Sequence, residues 1–157
     1  NRWPLESFAE AILQLKTALT DLPLFVLWAP GRSTEPVFPG DDDRIGRLQE
    51  RLGGREGIHF AGGLALRELF ALLSLSRLFI GCDGGAMHAA AALGTPVVAI
   101  FGKTDPRRWR PWGRDHIVLT PSDGDIRTVS VEEVVSSALR RLLPLSGGEL
   151  PFLNQKC

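Results

Sequence analysis

The sequence carries no excess of charge of either sign, no long apolar run and little cysteine. Lys+Arg and Asp+Glu each number 18, for a formal net charge of zero, whereas a surface that wraps nucleic acid needs a basic excess to displace counterions. The balance argues against a nucleic-acid partner. Arg67, Glu68 and Arg77 interrupt the most apolar region, so nothing reaches the roughly 18 uncharged apolar residues of a membrane helix. The two cysteines, Cys82 and Cys157, form no CxxC pair, which argues against a disulfide framework or a zinc site and fits a reducing cytosol. The opening residues NRWPLESF contain no initiator Met and no basic-then-apolar leader. They read as a cut from something longer.

What is present suits a soluble globular domain. At 157 residues, 44% apolar and 23% charged, the chain has material for one core and is far from the composition of disorder. One domain is too little for a complete enzyme with a cleft between two halves.

Periodicity gives alternating elements. Leu5, Phe8, Ala9, Ile12, Leu15 and Leu19 recur at helical spacing after Pro4, predicting a helix over 5–19. The run LFVLW at 24–28 reads as a strand buried on both faces, and a loop rich in Pro and Gly follows from Ala29 to Gly40. A helix over Asp42–Leu52 opens on acidic residues that complement its dipole. The alternation continues with a strand at Ile58–Ala61, a helix at Leu66–Leu75, a strand at Leu78–Cys82 and a helix from about Met87 to Leu93. Strands at Val97–Phe101 and His116–Leu119 and a closing helix at Val131–Leu143 complete it. Such order predicts a doubly wound α/β fold with a parallel sheet. The tail from Pro144 to Cys157 shows no period and reads as disordered.

The most informative stretch is FIGCDGGAMHAAAALGTPVVAIFGKTD at 79–105. Two glycines at the carboxyl end of a strand let backbone approach a ligand, and the helix that follows aims its free N–H groups at the same place. That suits a phosphate or diphosphate, at the edge where open α/β sheets bind ligands. The small run Ala89–Ala92 lets the helix sit close to the sheet. Read on their own, Gly84 and Gly85 also suit a plain turn, Asp83 a helix cap, His88 a structural hydrogen-bonding role and Met87 the core.

Two charged stretches complete the candidates. In KTDPRRWRPWGR, Lys103, Arg107, Arg108, Arg110 and Arg114 interleave with Trp109 and Trp112 against the single acid Asp105. The segment reads either as a rim that binds phosphates or as a solvated loop whose tryptophans close the core. The run Asp41-Asp42-Asp43 suits a carboxylate for ribose hydroxyls or an acidic helix start. It lacks the spacing of a calcium loop, and we read no metal site and no cofactor.

Together RWPLESFAEAILQL, LWAPG followed by GDDDR, HFAGGLALRELFALL, FIGCDGGAMHAAAALGTPVVAIFGKTDP and the late WRPWG resemble the C-terminal domain of the family 9 glycosyltransferases, the lipopolysaccharide heptosyltransferases. The resemblance covers residues 1–143 and is most specific from Gly81 to Pro106. It implies a Rossmann-like half of a GT-B enzyme that binds a nucleotide sugar, typically ADP-heptose. Asp83, Gly84 and Gly85 match the family's Asp-Ser/Thr-Gly loop at the donor diphosphate, and His88 matches its His. Asp41 or Asp42 falls where an acid binds ribose, and Gly62, Gly63 and Leu64 match the loop beside the base.

Departures accompany the matches. Asn1 stands where the family often has Lys, Gly84 replaces a hydroxyl residue, and Lys103 replaces Pro. The resemblance places the general base in an N-terminal domain outside this chain, and the first strand of the Rossmann unit just before Asn1. Without that strand, the middle one of a 3-2-1-4-5 order, the sheet is expected to have a gap beside the site. The implied partners are the donor, an anionic glycolipid acceptor at the cytoplasmic face of the inner membrane and the missing domain. A transferase for another nucleotide sugar, and a non-catalytic nucleotide-binding module or degenerate fragment, remain open readings. The fragment alone is expected to be inactive.

Overall fold

The computed structural model describes residues 2–37, 39–113 and 115–143. Asn1, Arg114 and the tail from Pro144, on which expectations were placed above, lie outside the described residues.

Helix α1 (Leu5–Ala18) follows Pro4 and buries Ala9, Ala11 and Leu15. Strand β1 (Leu24–Leu27), helix α2 (Asp42–Leu52), strand β2 (Ile58–Ala61) and helix α3 (Leu66–Leu75) follow. Then come β3 (Phe79–Cys82), α4 (Gly85–Ala92), β4 (Val97–Ile100), the single turn α5 (Pro106–Trp109), β5 (His116–Leu119), a 3-10 turn (Ile126–Thr128) and α6 (Val131–Leu142). All the expected elements are present. Helix α4 opens two residues earlier than its apolar run suggested, because glycine contributes nothing to periodicity. The turns at 106 and 126 are too short for periodicity to reveal; each is started by an Asp, Asp105 or Asp125, whose carboxylate accepts a backbone N–H two residues on.

All strand pairs are parallel, yet the strands form two sheets, β1-β2 and β3-β4-β5. Leu24 and Ile80 pack into one apolar cluster, and Leu27 and Phe79 into another. The two pieces therefore lie side by side with an unpaired edge each, on β1 and on β3. Strand β4 is buried along its whole length. On one side of it lie α1 and α6, with Trp3, Ile100 and Val134 at the centre; on the other lie Met87, Ala90 and Phe101. Helix α2 packs Ile45, Leu48 and Leu52 under Val26 and Phe60. Helix α3 is less well covered: only Leu73 is buried, and Leu66, Phe70 and Leu75 are exposed.

Two consecutive residues tie the pieces together. Arg2 donates to the carbonyls of Pro39 and Gly40, each at 2.9 Å, and pairs with Asp41 at 3.1 Å. Trp3 is fully buried, its backbone N–H reaching Cys82 Sγ at 3.4 Å and its indole the Val129 carbonyl at 3.0 Å.

Candidate functional site

The carboxyl ends of parallel strands share one edge, and the candidate residues gather there. Beyond β3, the Asp83 N–H donates to the Ile100 carbonyl at 3.2 Å, extending the ladder by one residue. Gly84 is extended, with φ 169° and ψ 178°, and caps α4 without a side chain. The His88 N–H returns to the Gly84 carbonyl at 3.3 Å, so the amides of Gly85, Ala86 and Met87 are left without intrahelical acceptors. Ala90 is fully buried against the sheet, as the small-residue run required, and Met87 is core. Asp83 does not occupy the cap position. Its mostly buried carboxylate instead faces His88 Nε2 at 4.0 Å, with the imidazole more than a third exposed.

Neither glycine is demanded by the fold. A Cβ at Gly84 would meet only the Cys82 carbonyl, at 3.9 Å, and one at Gly85 would meet nothing within 4 Å. Gly85 has no positive φ, being already the first residue of the helix. The turn tolerates side chains sterically but carries none, and it opens a helix whose first three amides lack intrahelical acceptors.

Asp41, Asp42 and Asp43 organise the loop after β1. Asp41 is held by Arg2 and by Arg44, at 3.1 and 3.0 Å. Asp42 accepts from the Trp28 indole and from the Gly31 N–H, both at 2.8 Å. Asp43 accepts from the backbone and hydroxyl of Ser33, which hold its carboxyl below the usual carboxylate value. Gly62, after β2, lies against the Trp28 ring and has no room for a Cβ. Gly63 adopts φ 65°, the left-handed region that suits glycine, and Leu64 is exposed beside it. The structure thus joins Gly62 to Asp42 through Trp28, and Asp41 to Cys82, next to Asp83, through Arg2 and Trp3. Sequence reasoning missed Trp28 and Arg2, which act through contacts distant in sequence, and Arg44, which holds Asp41 from three residues further along the chain.

The basic segment is only partly free. Arg107 folds back on Asp105 at 3.1 Å, holding that carboxyl below its usual value and raising its own guanidinium. Asp125 is lowered to about 2, chiefly by Arg127, with Lys103 adding a smaller effect. Arg108 and Arg110 have no carboxylate partner among the described residues. Trp109 and Trp112 do not close the core: they are 53% and 87% exposed, while Pro111 between them is buried.

The model of glycosyltransferase family 9 (heptosyltransferase) matches residues 1–134. The chain belongs to this family. Among curated family 9 proteins, lipopolysaccharide heptosyltransferase 3 of Escherichia coli is 43% identical over 63 residues, covering 40% of this chain and 18% of that protein. Lipooligosaccharide heptosyltransferase 2 of Haemophilus ducreyi is 32% identical over 97 residues, covering 57% of this chain and 28% of that one. The solved structure of the E. coli heptosyltransferase WaaC with ADP superposes with TM-score 0.73 at 21% identity, over 88% of this chain and 39% of that one. The chain therefore spans well under half the length of the family 9 proteins it matches. The Rossmann-like α/β fold is theirs, and no helix among the described residues is long and apolar enough to cross a membrane.

Proposed function

We propose that this chain is the donor-binding half of an inverting glycosyltransferase that moves heptose from ADP-heptose to a lipopolysaccharide core acceptor. One observation carries the reading: the side-chain-free turn at Gly84-Gly85, which has room for a Cβ at both glycines and opens a helix with three amides lacking intrahelical acceptors, beside Asp83 and His88. The donor diphosphate fits there. Gly62, Gly63 and Leu64 flank the base, and the loop fixed by Asp41 and Asp42 lies beside the ribose. As an acceptor hydroxyl attacks the anomeric carbon from the opposite face, the departing diphosphate gains charge that fixed amides stabilise without reorganising. The general base that takes the hydroxyl proton belongs to the other half.

The domain runs from 1 to 143 in this reading, with a parallel strand from the longer protein filling the space between β1 and β3. The two unpaired edges, the uncovered face of α3 and the placement of Arg2 and Trp3 at the mouth of that space support it. Lys103, Arg107, Arg108 and Arg110 form a rim toward an anionic glycolipid acceptor, and the protein works peripherally at the cytoplasmic face of the inner membrane. The test is titration calorimetry of the longer protein against ADP-, GDP- and UDP-sugars. Binding of the ADP sugar alone is expected; preference for another base would replace the donor, and binding of none would remove the function.

A further inference from the structure

We propose that the segment from Lys103 to Trp112 is a docking surface for an anionic lipid bilayer, with Trp109 and Trp112 entering the headgroup layer and Arg108 and Arg110 pairing with lipid phosphates. The proposal deepens the peripheral location given above by naming the surface, and its test does not use the donor. The first observation is cost. Two large indoles stand 53% and 87% exposed within four residues of one another and cover none of the core, and a cluster of exposed apolar surface marks an interaction site. The second is charge. Four cations accompany one acid in this segment, in a chain whose net charge is zero, and that acid is already engaged by Arg107.

The third observation is that the segment is held. Asp105 accepts the Arg107 N–H at 2.9 Å and Pro106 occupies the first position of α5. The buried Pro111 pins the backbone between the two tryptophans, so the indoles are presented on a fixed base. Tryptophan favours the membrane interface because its ring is apolar and its N–H is wet, and guanidinium matches phosphate in a bidentate way. Stable peripheral attachment takes an apolar element and a basic one together. A soluble anion would use the arginines and leave the indoles idle; a bilayer of acidic lipid uses both. Because the segment leaves the carboxyl end of β4, the surface lies on the connection that departs from the edge bearing the Gly84-Gly85 turn.

The experiment is co-sedimentation of the full chain with vesicles of phosphatidylcholine alone and of equal parts phosphatidylcholine and phosphatidylglycerol. Sedimentation with the anionic vesicles only is expected, with an indole emission shift to the blue. Arg108→Glu with Arg110→Glu should weaken vesicle affinity about tenfold or more. Trp109→Ser with Trp112→Ser should weaken it comparably and remove the emission shift, while thermal melting is unchanged. Failure of the parent chain to bind anionic vesicles overturns the proposal, as does a double-tryptophan variant that binds as tightly as the parent. A dimer in sedimentation equilibrium that the tryptophan substitutions disperse would overturn it too, assigning the patch to a second copy. Loss of donor binding with vesicle binding intact would strike the function proposed above and leave this surface standing.

Discussion

The Trp28 ring lies over the α-carbon of Gly62 while its indole N–H donates to Asp42 at 2.8 Å. One side chain thereby couples the end of β2 to the start of α2, and through the Gly31 N–H to the loop between. Gly62→Ala must displace the ring, and overpacking of this kind costs about 1–3 kcal/mol. Urea titration should show that loss. Trp28→Leu in the same chain should recover part of it, since contacting residues couple. An unchanged midpoint for the single variant would mean that the ring is free to move.

Gly84→Val should abolish binding of an ADP sugar in the longer protein with little change in melting temperature, because the extended backbone accepts any residue and the Cβ meets only one atom, at 3.9 Å. Gly85→Val is nearly as clean sterically, although a branched residue lowers helix propensity. Calorimetry beside a melting curve on each sample decides. A Gly84→Val chain that retains donor affinity would remove the diphosphate from this turn.

His88 touches Asp83 only at 4.0 Å and is substantially exposed, so His88→Ala should leave the folded state within about 0.5 kcal/mol of the parent. If the imidazole meets the donor, affinity or turnover should fall at least tenfold. Loss of stability in proportion to loss of binding would make the residue structural.

Burial pushes the Cys82 thiol above its ordinary 9.0, with the bond from the Trp3 N–H opposing. The protonated thiol is therefore favoured by folding. Its contribution is fully present below the unfolded value and is lost as pH rises through the higher folded one. In a Cys157→Ser chain, labelling of Cys82 by a disulfide reagent should be far slower folded than in urea at pH 8. Equal rates would show that the contact with Trp3 opens readily.

Element type was legible wherever a long apolar pattern repeated, as in α1 with Leu5, Ala9, Ile12 and Leu15 or in β4, apolar on both faces. The Asp83-Gly84-Gly85 turn was legible because residues adjacent in sequence make it. What sequence could not disclose was partnership at a distance: that Asp42 holds Trp28, that Arg2 holds Asp41, or that Trp109 and Trp112 face solvent instead of the core. The last is instructive. Tryptophan between arginines gives no period, and only the burial of Pro111 beside them decides which way the rings turn.

The divided sheet has a measurable signature. Amides of Val98 and Ala99, in a strand buried along its whole length and paired on both sides, should exchange with solvent orders of magnitude more slowly than that of Val26, in a two-stranded pair whose outer edges are both unpaired. Comparable protection in both strands would mean that the two pieces open as one unit.

Arg2 and Trp3 have a mechanical consequence. A force applied to the backbone ahead of them divides at once: the guanidinium carries one share into the loop at Pro39 and Gly40, and the indole carries the other into the Val129 carbonyl just before α6. Displacement of that backbone would reach the loop after β1 and, through the Trp3 N–H, Cys82 at the end of β3 in the same stroke. The two residues would act as a yoke, passing one displacement both to the loop that carries Asp41 and to the strand end that carries the proposed diphosphate turn.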